Sequence, residues 1–333
     1  MTSSVNMMMP HEMFRRTSAA PAPHQTVSVP APVPAPAPAP EELRLSDLNW
    51  IGDLGEGGFA RVYKARHCRT GEVFALKLSF YPDPLAAEEE AEVHNRAAGA
   101  PHVIDFYALF RGPGGKFAFV LEYMDAGSLG RLLRRRGGLR MPEAAVAELA
   151  AQCVMGLAQL HSRGVAHLDV KPDNILANAR GEIKMSDFNL SRILYGGSGE
   201  RLLVPITGGT KMYFSPERFA PKARAGPHGA MAADVWGLGV TILELFLGRL
   251  SLVPGVEKPS AEELKRAICD GKPPSVPEGA DASAELRGFL AACLEKEPAR
   301  RATVAQLLSH PFFAQRDVHA SRRALREIIV DTL

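Results

Sequence analysis

A short polar segment near the middle of the chain carries the residue types that phosphoryl transfer requires. It reads His167-Leu168-Asp169-Val170-Lys171-Pro172-Asp173-Asn174, and a second acidic residue, Asp187, follows a strand-like run. In this chemistry an aspartate accepts the hydroxyl proton, a lysine neutralises the γ-phosphate, and an asparagine and a second aspartate hold magnesium. The spacing predicts Asp169 as the base and Lys171 as the neutralising charge. Asn174 and Asp187 are the predicted metal ligands, although a polar loop is the alternative explanation for either piece alone.

The segment resembles the catalytic loop of eukaryotic protein kinases, and Asp187-Phe188-Asn189 is similar to their metal-binding triplet. Upstream, a glycine turn precedes Val73-Phe74-Ala75-Leu76-Lys77-Leu78, which resembles the kinase strand whose lysine grips the α- and β-phosphates. Downstream, Ser215-Pro216-Glu217-Arg218 resembles the MAP kinase kinases in particular. These motifs occur in the kinase order over about residues 48–313, and their joint occurrence is far more specific than any one of them.

In this family a glutamate on the following helix pairs with the strand lysine. Four glutamates are candidates for the partner of Lys77, and the spacing of apolar or small residues after them favours Glu90. The other three stay open as alternatives. The candidates are Glu88, Glu89, Glu90 and Glu92.

The resemblance implies a site for ATP and Mg²⁺ in the cleft between a small and a large lobe. The implied catalytic residues are Asp169, Lys171, Asn174, Lys77 and Glu90. The implied nucleotide-binding residues are Leu54, Gly55, Glu56, Gly57, Gly58, Val62, Ala75, Lys77, Leu121, Glu122, Met124 and Leu176.

The chain departs from the family pattern at several positions. Leu168 stands where the family has an arginine that senses a phosphate on the activation segment, which puts regulation by such a phosphate in doubt. Asn189 replaces a glycine beside Asp187, and asparagine tolerates positive φ better than most residues. Ala60 replaces the third glycine of the turn and should stiffen it. The resemblance places the two activating hydroxyls of the family at positions that here hold Leu202 and Ile206, so this pair is absent, and Ser198, Thr207 and Thr210 are the candidate phosphosites.

Four further predictions concern the support of the catalytic loop and the segments around it. The resemblance implies that Asp234 holds the loop's backbone from beneath and that Glu217 pairs with Arg301. The apolar run 235–247, which is interrupted by two glycines and a glutamate, predicts a buried helix and not a membrane span. The Pro/Gly/Ala-rich residues 221–231 predict a surface loop.

Composition limits the class of protein and its surroundings. A net charge of +2 favours neither nucleic acid nor an anionic membrane as the main partner. Four scattered cysteines without a Cys-x-x-Cys pair indicate reduced thiols and a cytoplasmic protein, with the nucleus as an alternative. Residues 1–41, rich in proline and alanine, predict a disordered segment, and an organelle transit peptide is the other interpretation.

The sequence therefore predicts an α+β, bilobal protein-kinase fold with a small β-rich N-lobe over a larger α-helical C-lobe. We expect the kinase domain at 48–313, divided near residues 124 and 125, and a helical tail at 314–333 that packs on the large lobe or binds a partner. The predicted function is transfer of the γ-phosphate of ATP to Ser/Thr hydroxyls, with tyrosine as an extension, in a monomer that resembles a MAP kinase kinase. Its expected partners are a protein substrate, such as a downstream kinase, and an unidentified activator. The alternatives are a pseudokinase scaffold and a small-molecule kinase.

Overall fold

The computed structural model describes residues 15–16, 43–112, 115–138, 140–197, 199–220, 222–314 and 316–333. This part of the chain forms two compact units. The N-lobe comprises the described residues up to Ala91 and Asp105–Tyr123, and the C-lobe comprises Glu92–Ile104 and the described residues from Met124 onward. The predicted segment 1–41, apart from the backbone of Arg15–Arg16, and the candidate phosphosite Ser198 lie outside the described residues.

The N-lobe is an antiparallel sheet with strand order β1-β5-β6-β4-β3-β2. Side chains alternate between the two faces of each strand, so Phe74 and Leu76 point into the apolar core while Ala75 and Lys77 face the other way. This alternation decides which residues can meet a nucleotide. The strands are β1 (Arg15–Arg16), β2 (Leu48–Glu56), β3 (Ala60–His67), β4 (Val73–Ser79), β5 (Phe106–Arg111) and β6 (Phe117–Glu122).

Helix α1 (Pro84–Arg96) follows the sheet and carries the candidate glutamates. It begins after Asp83, whose Oδ1 accepts a hydrogen bond from the amide of Ala86 at 3.1 Å, as a helix N-cap does. Glu90 and Val93 are buried, whereas Glu88, like Glu89 and Glu92, is exposed. Glu90 is therefore the one candidate glutamate on the buried face of the helix.

The C-lobe is built around two long apolar helices, α3 and α4. Val146, Leu149, Leu157 and Leu160 on α3 are fully buried, and burying each such side chain contributes about 1.5–3 kcal/mol to folding. The helices are α2 (Leu129–Arg135), α3 (Glu143–Ser162), α4 (Pro227–Leu247), α5 (Ala261–Lys265), α6 (Ala284–Cys293), α7 (Val304–Leu308), α8 (Pro311–Ala314) and α9 (Val318–Val330).

Helix α4 contains the run predicted to be a buried helix. It is the one helix of the described residues that is long and apolar enough to cross a membrane by length and composition. The most apolar stretch of this helix is 83% buried inside the protein. The helix ends at Gly248, which adopts the left-handed conformation typical of a helix C-terminus.

Short strands frame the catalytic loop of the C-lobe. They form a three-stranded sheet in the order β10-β9-β7 and the two pairs β11-β8 and β12-β13. The loop leaves β8 and enters β9, so both of its ends are fixed by backbone hydrogen bonds. The strands are β7 (Gly127–Ser128), β8 (Val165–Ala166), β9 (Ile175–Ala177), β10 (Ile183–Met185), β11 (Arg192–Ile193), β12 (Val204–Pro205) and β13 (Arg224–Ala225).

The prediction of a surface loop over residues 221–231 is wrong. The stretch contains β13, which pairs with β12, and Pro227 is the first residue of α4. Proline is favoured at that helical position because its missing N–H would have no helical partner there. Ala223 and Ala230 are buried in an apolar cluster, so the small residues serve close packing.

Candidate active site

One face of the N-lobe sheet gathers the residues that the sequence assigned to the nucleotide. Val62 on β3 is opposite Lys77 on β4, and Ala75 is opposite Leu121 on β6. Residues opposite each other in an antiparallel pair share a face, as do residues two apart on one strand. Val62, Ala75, Lys77 and Leu121 therefore lie side by side on the face that is turned away from the N-lobe core.

Lys77 forms an ion pair with Glu90. Its Nζ lies 2.7 Å from Glu90 Oε1, and both residues are buried, at 8% and 6% exposure. A hydrogen-bonded ion pair excluded from water is stronger than an exposed one and fixes the lysine's position. Lys77 Nζ also lies 5.8 Å from the centre of the Phe119 ring. Of the four candidate glutamates, Glu90 is the one whose contact with Lys77 the structure shows.

The glycine turn joins β2 to β3. The amide of Gly57 donates to the carbonyl of Ala60 at 2.9 Å, and a Cβ added to Gly58 would meet no atom within 4 Å. Ala60 is buried and pairs with Ser79 as the first residue of β3, so this position belongs to regular strand. The other predicted residues of this region, Leu54, Gly55 and Glu56, form the end of β2.

The segment after β6 contains the predicted hinge residues Glu122 and Met124. The amide of Glu122 donates to the carbonyl of Asp105 at 2.9 Å, and Glu122 Oε2 accepts from the amide of Asp105 at 3.3 Å. Met124 is buried, and its carbonyl accepts from the amide of Gly127. In the C-lobe Leu176 lies half-buried on β9, opposite Lys184 of β10.

Asp169 is the centre of a hydrogen-bond network in the C-lobe. Its Oδ2 accepts from Lys171 Nζ at 2.6 Å and from Asn174 Nδ2 at 2.8 Å. Its Oδ1 accepts from the amide of Thr210 at 3.2 Å, and Lys171 Nζ donates to Thr210 Oγ1 at 2.8 Å. The structure thus brings together Asp169, Lys171 and Asn174, and it adds Thr210 to them.

The backbone of the catalytic loop is held by Asp234 of α4, as predicted from the resemblance. Asp234 Oδ2 accepts from the amide of His167 at 2.8 Å, and Oδ1 accepts from the amide of Leu168 at 2.6 Å. His161 Nε2 lies 2.8 Å from Oδ2. Because Asp234 is buried, these donors replace the water that its charge would otherwise need. Leu168 has a φ of 61°, a left-handed conformation that costs a leucine about 1–2 kcal/mol.

The triplet after β10 places Phe188 between two histidines. Its ring centre lies 5.5 Å from that of His167 and 4.8 Å from that of His94 on α1, both edge to face. All three residues are buried. In the described chain the positive φ of this turn belongs to Asp187, at 64°, and Asn189 is not left-handed. The tolerance of asparagine for positive φ is therefore not what this turn uses.

Asn174 and Asp187 carry the types of oxygen ligand that Mg²⁺ prefers. Asn174 Nδ2 donates to the carbonyl and to the carboxylate of Asp169, which leaves its amide oxygen as the atom available to a cation. A carboxylate and an amide oxygen are the hard ligands that Mg²⁺ takes when nucleotide phosphates and water complete its coordination.

The turn that directly follows the activation segment is anchored by the predicted pair Glu217 and Arg301. Arg301 Nη1 lies 2.7 Å from Glu217 Oε1, and Nη2 lies 3.1 Å from Oε2, a bidentate contact. The buried guanidinium also donates to the carbonyls of Ala232, Glu295 and Lys296. Every donor direction of the arginine is therefore used inside the protein.

Sequence reasoning missed several polar residues beside the catalytic loop. Tyr213 donates to Glu244 Oε2 at 2.6 Å, and Arg134 Nη2 donates to Asp173 Oδ1 at 2.8 Å. Burial raises the pKa of the Glu244 carboxyl and, together with the charge of Glu244, that of the Tyr213 hydroxyl. Arg218 is also buried and lies against Phe214, with burial lowering its pKa to about 10. A charged residue in a Ser-Pro-Glu-Arg run gives no sign of burial in the sequence.

The chain matches a known family over residues 48–313, the protein kinase domain. Two similar relatives come from Arabidopsis thaliana. Mitogen-activated protein kinase kinase 9 is 37% identical over 276 residues, which cover 81% of this chain and 85% of the relative, and mitogen-activated protein kinase kinase 7 is 38% identical over 280 residues, covering 81% and 86%. The dual specificity mitogen-activated protein kinase kinase dSOR1 of Drosophila melanogaster is 32% identical over 303 residues, covering 83% and 73%.

The β-rich N-lobe, the helical C-lobe and the network around Asp169 define a bilobal eukaryotic protein kinase, and the chain belongs to the protein kinase family. Within that family it is a MAP kinase kinase-like Ser/Thr or dual-specificity kinase. It acts on protein substrates, with ATP as the phosphate donor and Mg²⁺ as the usual cofactor. Neither the family match nor the relatives give evidence for the pseudokinase alternative.

Proposed function

We propose that the protein phosphorylates hydroxyl groups of a downstream kinase of the MAP kinase class. The names of its relatives support this substrate class. The observation that carries the catalytic part is the network around Asp169, in which Lys171 and Asn174 donate to Oδ2 and the amide of Thr210 donates to Oδ1.

In this proposal each residue of the network has one role. Asp169 accepts the proton of the attacking hydroxyl, and Lys171 neutralises negative charge on the transferred phosphoryl group. Asn174 and Asp187 hold Mg²⁺, which offsets phosphate charge when it is bound. In the N-lobe, Glu90 fixes Lys77 so that its ammonium group can contact the α- and β-phosphates.

The remaining predicted residues are proposed as contacts of the nucleotide. Amide groups of a glycine turn can approach phosphates closely because no Cβ is in the way. Apolar side chains on the sheet face that is turned away from the N-lobe core give the adenine ring an apolar surface. The backbone of the hinge supplies hydrogen bonds to the adenine edge. The proposed residues are Leu54, Gly55, Glu56, Gly57, Gly58, Val62, Ala75, Leu121, Glu122, Met124 and Leu176.

We further propose that the protein acts as a monomer in the cytoplasm, with the nucleus as the second location. Its cysteines support a reducing compartment, because all four are free in the described residues and Cys68 is exposed. Size-exclusion chromatography with light scattering tests the monomer. A fluorescent fusion of the full chain tests the location, and accumulation in an organelle would support the transit-peptide interpretation of residues 1–41.

The test of the substrate class is phosphate transfer from Mg-ATP to a purified MAP kinase whose own activity has been removed by mutation. Wild type is compared with Asp169→Asn, which should lower kcat by about 10²–10⁴-fold because the proton acceptor is lost. Asp270→Asn changes an exposed carboxylate outside the network and should leave kcat unchanged. Mass spectrometry of the product identifies the modified hydroxyls and distinguishes Ser/Thr from dual specificity.

Transfer to a generic basic protein but not to the MAP kinase would reject the substrate class and leave the kinase chemistry intact. Equal transfer by wild type and Asp169→Asn would reject the role of Asp169. Transfer to choline or a sugar, and to no protein, would support the small-molecule alternative.

A further inference from the structure

Leu168 packs into an apolar cluster that joins the catalytic loop to the activation segment, residues 190–216. The side chain of Leu168 is 2% exposed, although its neighbours in sequence are the polar residues His167 and Asp169. We name this group the Leu168 cluster. Its buried members are Ala166, Leu168, Leu194, Val204, Ile206, Ala223, Ala230 and Ala233.

The Leu168 cluster fixes the activation segment from one side. Val204 and Ile206 are buried in it, and β12 pairs with β13 beside them, while the amide of Ile206 donates to the carbonyl of Ala223 at 3.0 Å. Ile206 is one of the positions where the family has an activating hydroxyl. A phosphorylated side chain at this position would bring negative charge into the apolar cluster, which is unfavourable because a buried charge loses its hydration.

Arg218 makes a second set of contacts with the same segment. Its Nε donates to the carbonyl of Ile206 at 2.6 Å, and its Nη2 donates to the carbonyl of Gly208. The guanidinium lies 3.9 Å from the centre of the Phe214 ring. These contacts fix the peptide groups that follow Ile206 and Gly208, on the C-terminal side of each residue.

The C-terminal part of the activation segment lies against the catalytic residues. Gly209 has a φ of 110°, and a Cβ on it would lie 2.7 Å from Asp169 Oδ1, so the backbone passes directly over that carboxylate. The next residue, Thr210, donates its amide to Asp169 and accepts from Lys171. The peptide groups that Arg218 holds therefore lie just before the two residues that contact Asp169.

We propose that the Leu168 cluster and Arg218 hold the activation segment in its catalytic position, so that the enzyme transfers phosphate without prior phosphorylation of that segment. In this proposal the buried Leu168, together with Arg218, which donates to backbone carbonyls, stabilises the segment in the way that a phosphate and its counter-charge would. Leu168 and Arg218 are positioning residues in this proposal, since they act through Thr210 and not on the substrate. The inference rests on the proposed kinase chemistry and concerns the regulation of the same site.

The first test measures dependence on phosphate. The full chain is treated with a broad-specificity phosphatase, its phosphate-free state is verified by intact mass, and kcat is measured on a generic basic protein. We expect kcat to stay within about twofold of that of the untreated enzyme. A large loss that is restored by rephosphorylation would overturn the proposal.

The second test introduces a charge into the cluster. Leu168→Arg should lower kcat by about 100-fold, since misplacement of catalytic groups by about 1 Å has effects of that size. The KM for ATP should change little, because the nucleotide-binding residues are not altered. Leu168→Met, which keeps the volume and the apolar character, should retain activity. Leu203→Arg is the matched control, as Leu203 lies in the same segment but is 65% exposed.

Two further variants cover the case in which Leu168→Arg does not fold. Ile206→Ala removes part of the cluster without adding charge, and Arg218→Lys keeps the charge but not the paired hydrogen bonds. Both should lower kcat more than they raise the KM for ATP, at a temperature at which circular dichroism shows them folded. Wild-type kcat in both folded variants would overturn the proposal. The generic substrate makes these outcomes independent of whether a MAP kinase is the partner.

Discussion

At the scale of single residues, the position of one carboxylate distinguishes Glu90 from three neighbouring acids. Glu90 lies on the buried face of α1 and contacts Lys77, whereas Glu89 is exposed. We expect Glu90→Gln to lower kcat/KM by about 10–100-fold, because Lys77 loses its counter-charge and is held less firmly. Steady-state kinetics with varied ATP measures the effect.

The matched control is Glu89→Gln, which removes the same charge from the adjacent, exposed position. It should leave kcat/KM unchanged. If both variants lose activity equally, the net charge of α1 would be the important property, and the specific pairing of Glu90 with Lys77 would be rejected.

Glu244 gives the stability of the fold a predictable pH dependence. Burial raises the pKa of its carboxyl above the unfolded value. The native state therefore binds more protons than the unfolded state between the two pKa values, and stability falls as pH rises through that window. Glu244→Gln, which keeps an acceptor for Tyr213, should remove this fall.

Urea unfolding at a series of pH values from 4.5 to 8 measures this effect. We expect the free energy of unfolding of Glu244→Gln, relative to that of wild type, to increase with pH. A difference that is constant across the series would show that Glu244 does not titrate between these limits in the native state.

At the scale of elements, Arg301 joins the loop before α7 to the turn that follows the activation segment and to α4. It is 2% exposed and bonded to Glu217 and to three carbonyl groups. Arg301→Ala should lower the free energy of unfolding by about 3–5 kcal/mol, since it leaves a carboxylate and carbonyls without their buried donor. Chemical denaturation of the two proteins measures the difference.

The neighbouring arginine provides the control for this prediction. Arg300 pairs with Glu295 at the surface, and its side chain is 72% exposed. Arg300→Ala should not measurably change stability, because exposed ion pairs are screened by water and salt. Equal losses for Arg300→Ala and Arg301→Ala would contradict the buried role of Arg301.

The sequence was sufficient to predict the elements in which the chemistry or the pairing requires one particular residue type. The catalytic loop and the strand of Lys77 follow from residue types at fixed spacing, and the pairing of Glu217 with Arg301, which the resemblance implies, is present in the structure. Glu90 was selected by the apolar spacing of α1, since the period of a helix determines which acid faces the sheet.

The elements that sequence reasoning missed depend on contacts between distant segments. The strand β13 forms because β12 offers it a partner, and proline- and glycine-rich composition alone favoured a loop. The burial of Arg218 depends on the path of a chain segment ten residues earlier. From the sequence, Leu168 was interpreted as the loss of a phosphate sensor. Its packing in one apolar cluster with Val204 and Ile206 could not be predicted, because those residues are distant in sequence.

At the scale of the whole molecule, the C-terminal helix completes the C-lobe. The buried residues Leu325, Ile328 and Ile329 of α9 form one face, and the helix packs on α3. Glu148 of α3 is 1% exposed, and its carboxylate lies 3.4 Å from Arg316 Nε and 3.3 Å from Arg322 Nε. The tail thus supplies both apolar surface and the positive charge that a buried carboxylate requires.

This arrangement predicts that Arg316 and Glu148 are energetically coupled. Arg316→Ala should lower the free energy of unfolding by about 1.5–3 kcal/mol, because Glu148 keeps its charge and loses a donor. In a Glu148→Gln background the same change should cost less than about 1 kcal/mol, since a neutral amide needs no cation. A double-mutant cycle by urea denaturation gives the coupling free energy.

Arg323→Ala serves as the control of the cycle, because it removes an exposed arginine from the same helix. It should have the same small effect in the wild-type and the Glu148→Gln backgrounds. A coupling free energy near zero for Arg316 and Glu148 would mean that α9 is held by its apolar face alone. In that case Leu325→Ala together with Ile329→Ala should lower the free energy of unfolding as much as truncation of the tail does. Replacement of Arg316 and Arg322 by alanine should then leave the free energy of unfolding unchanged.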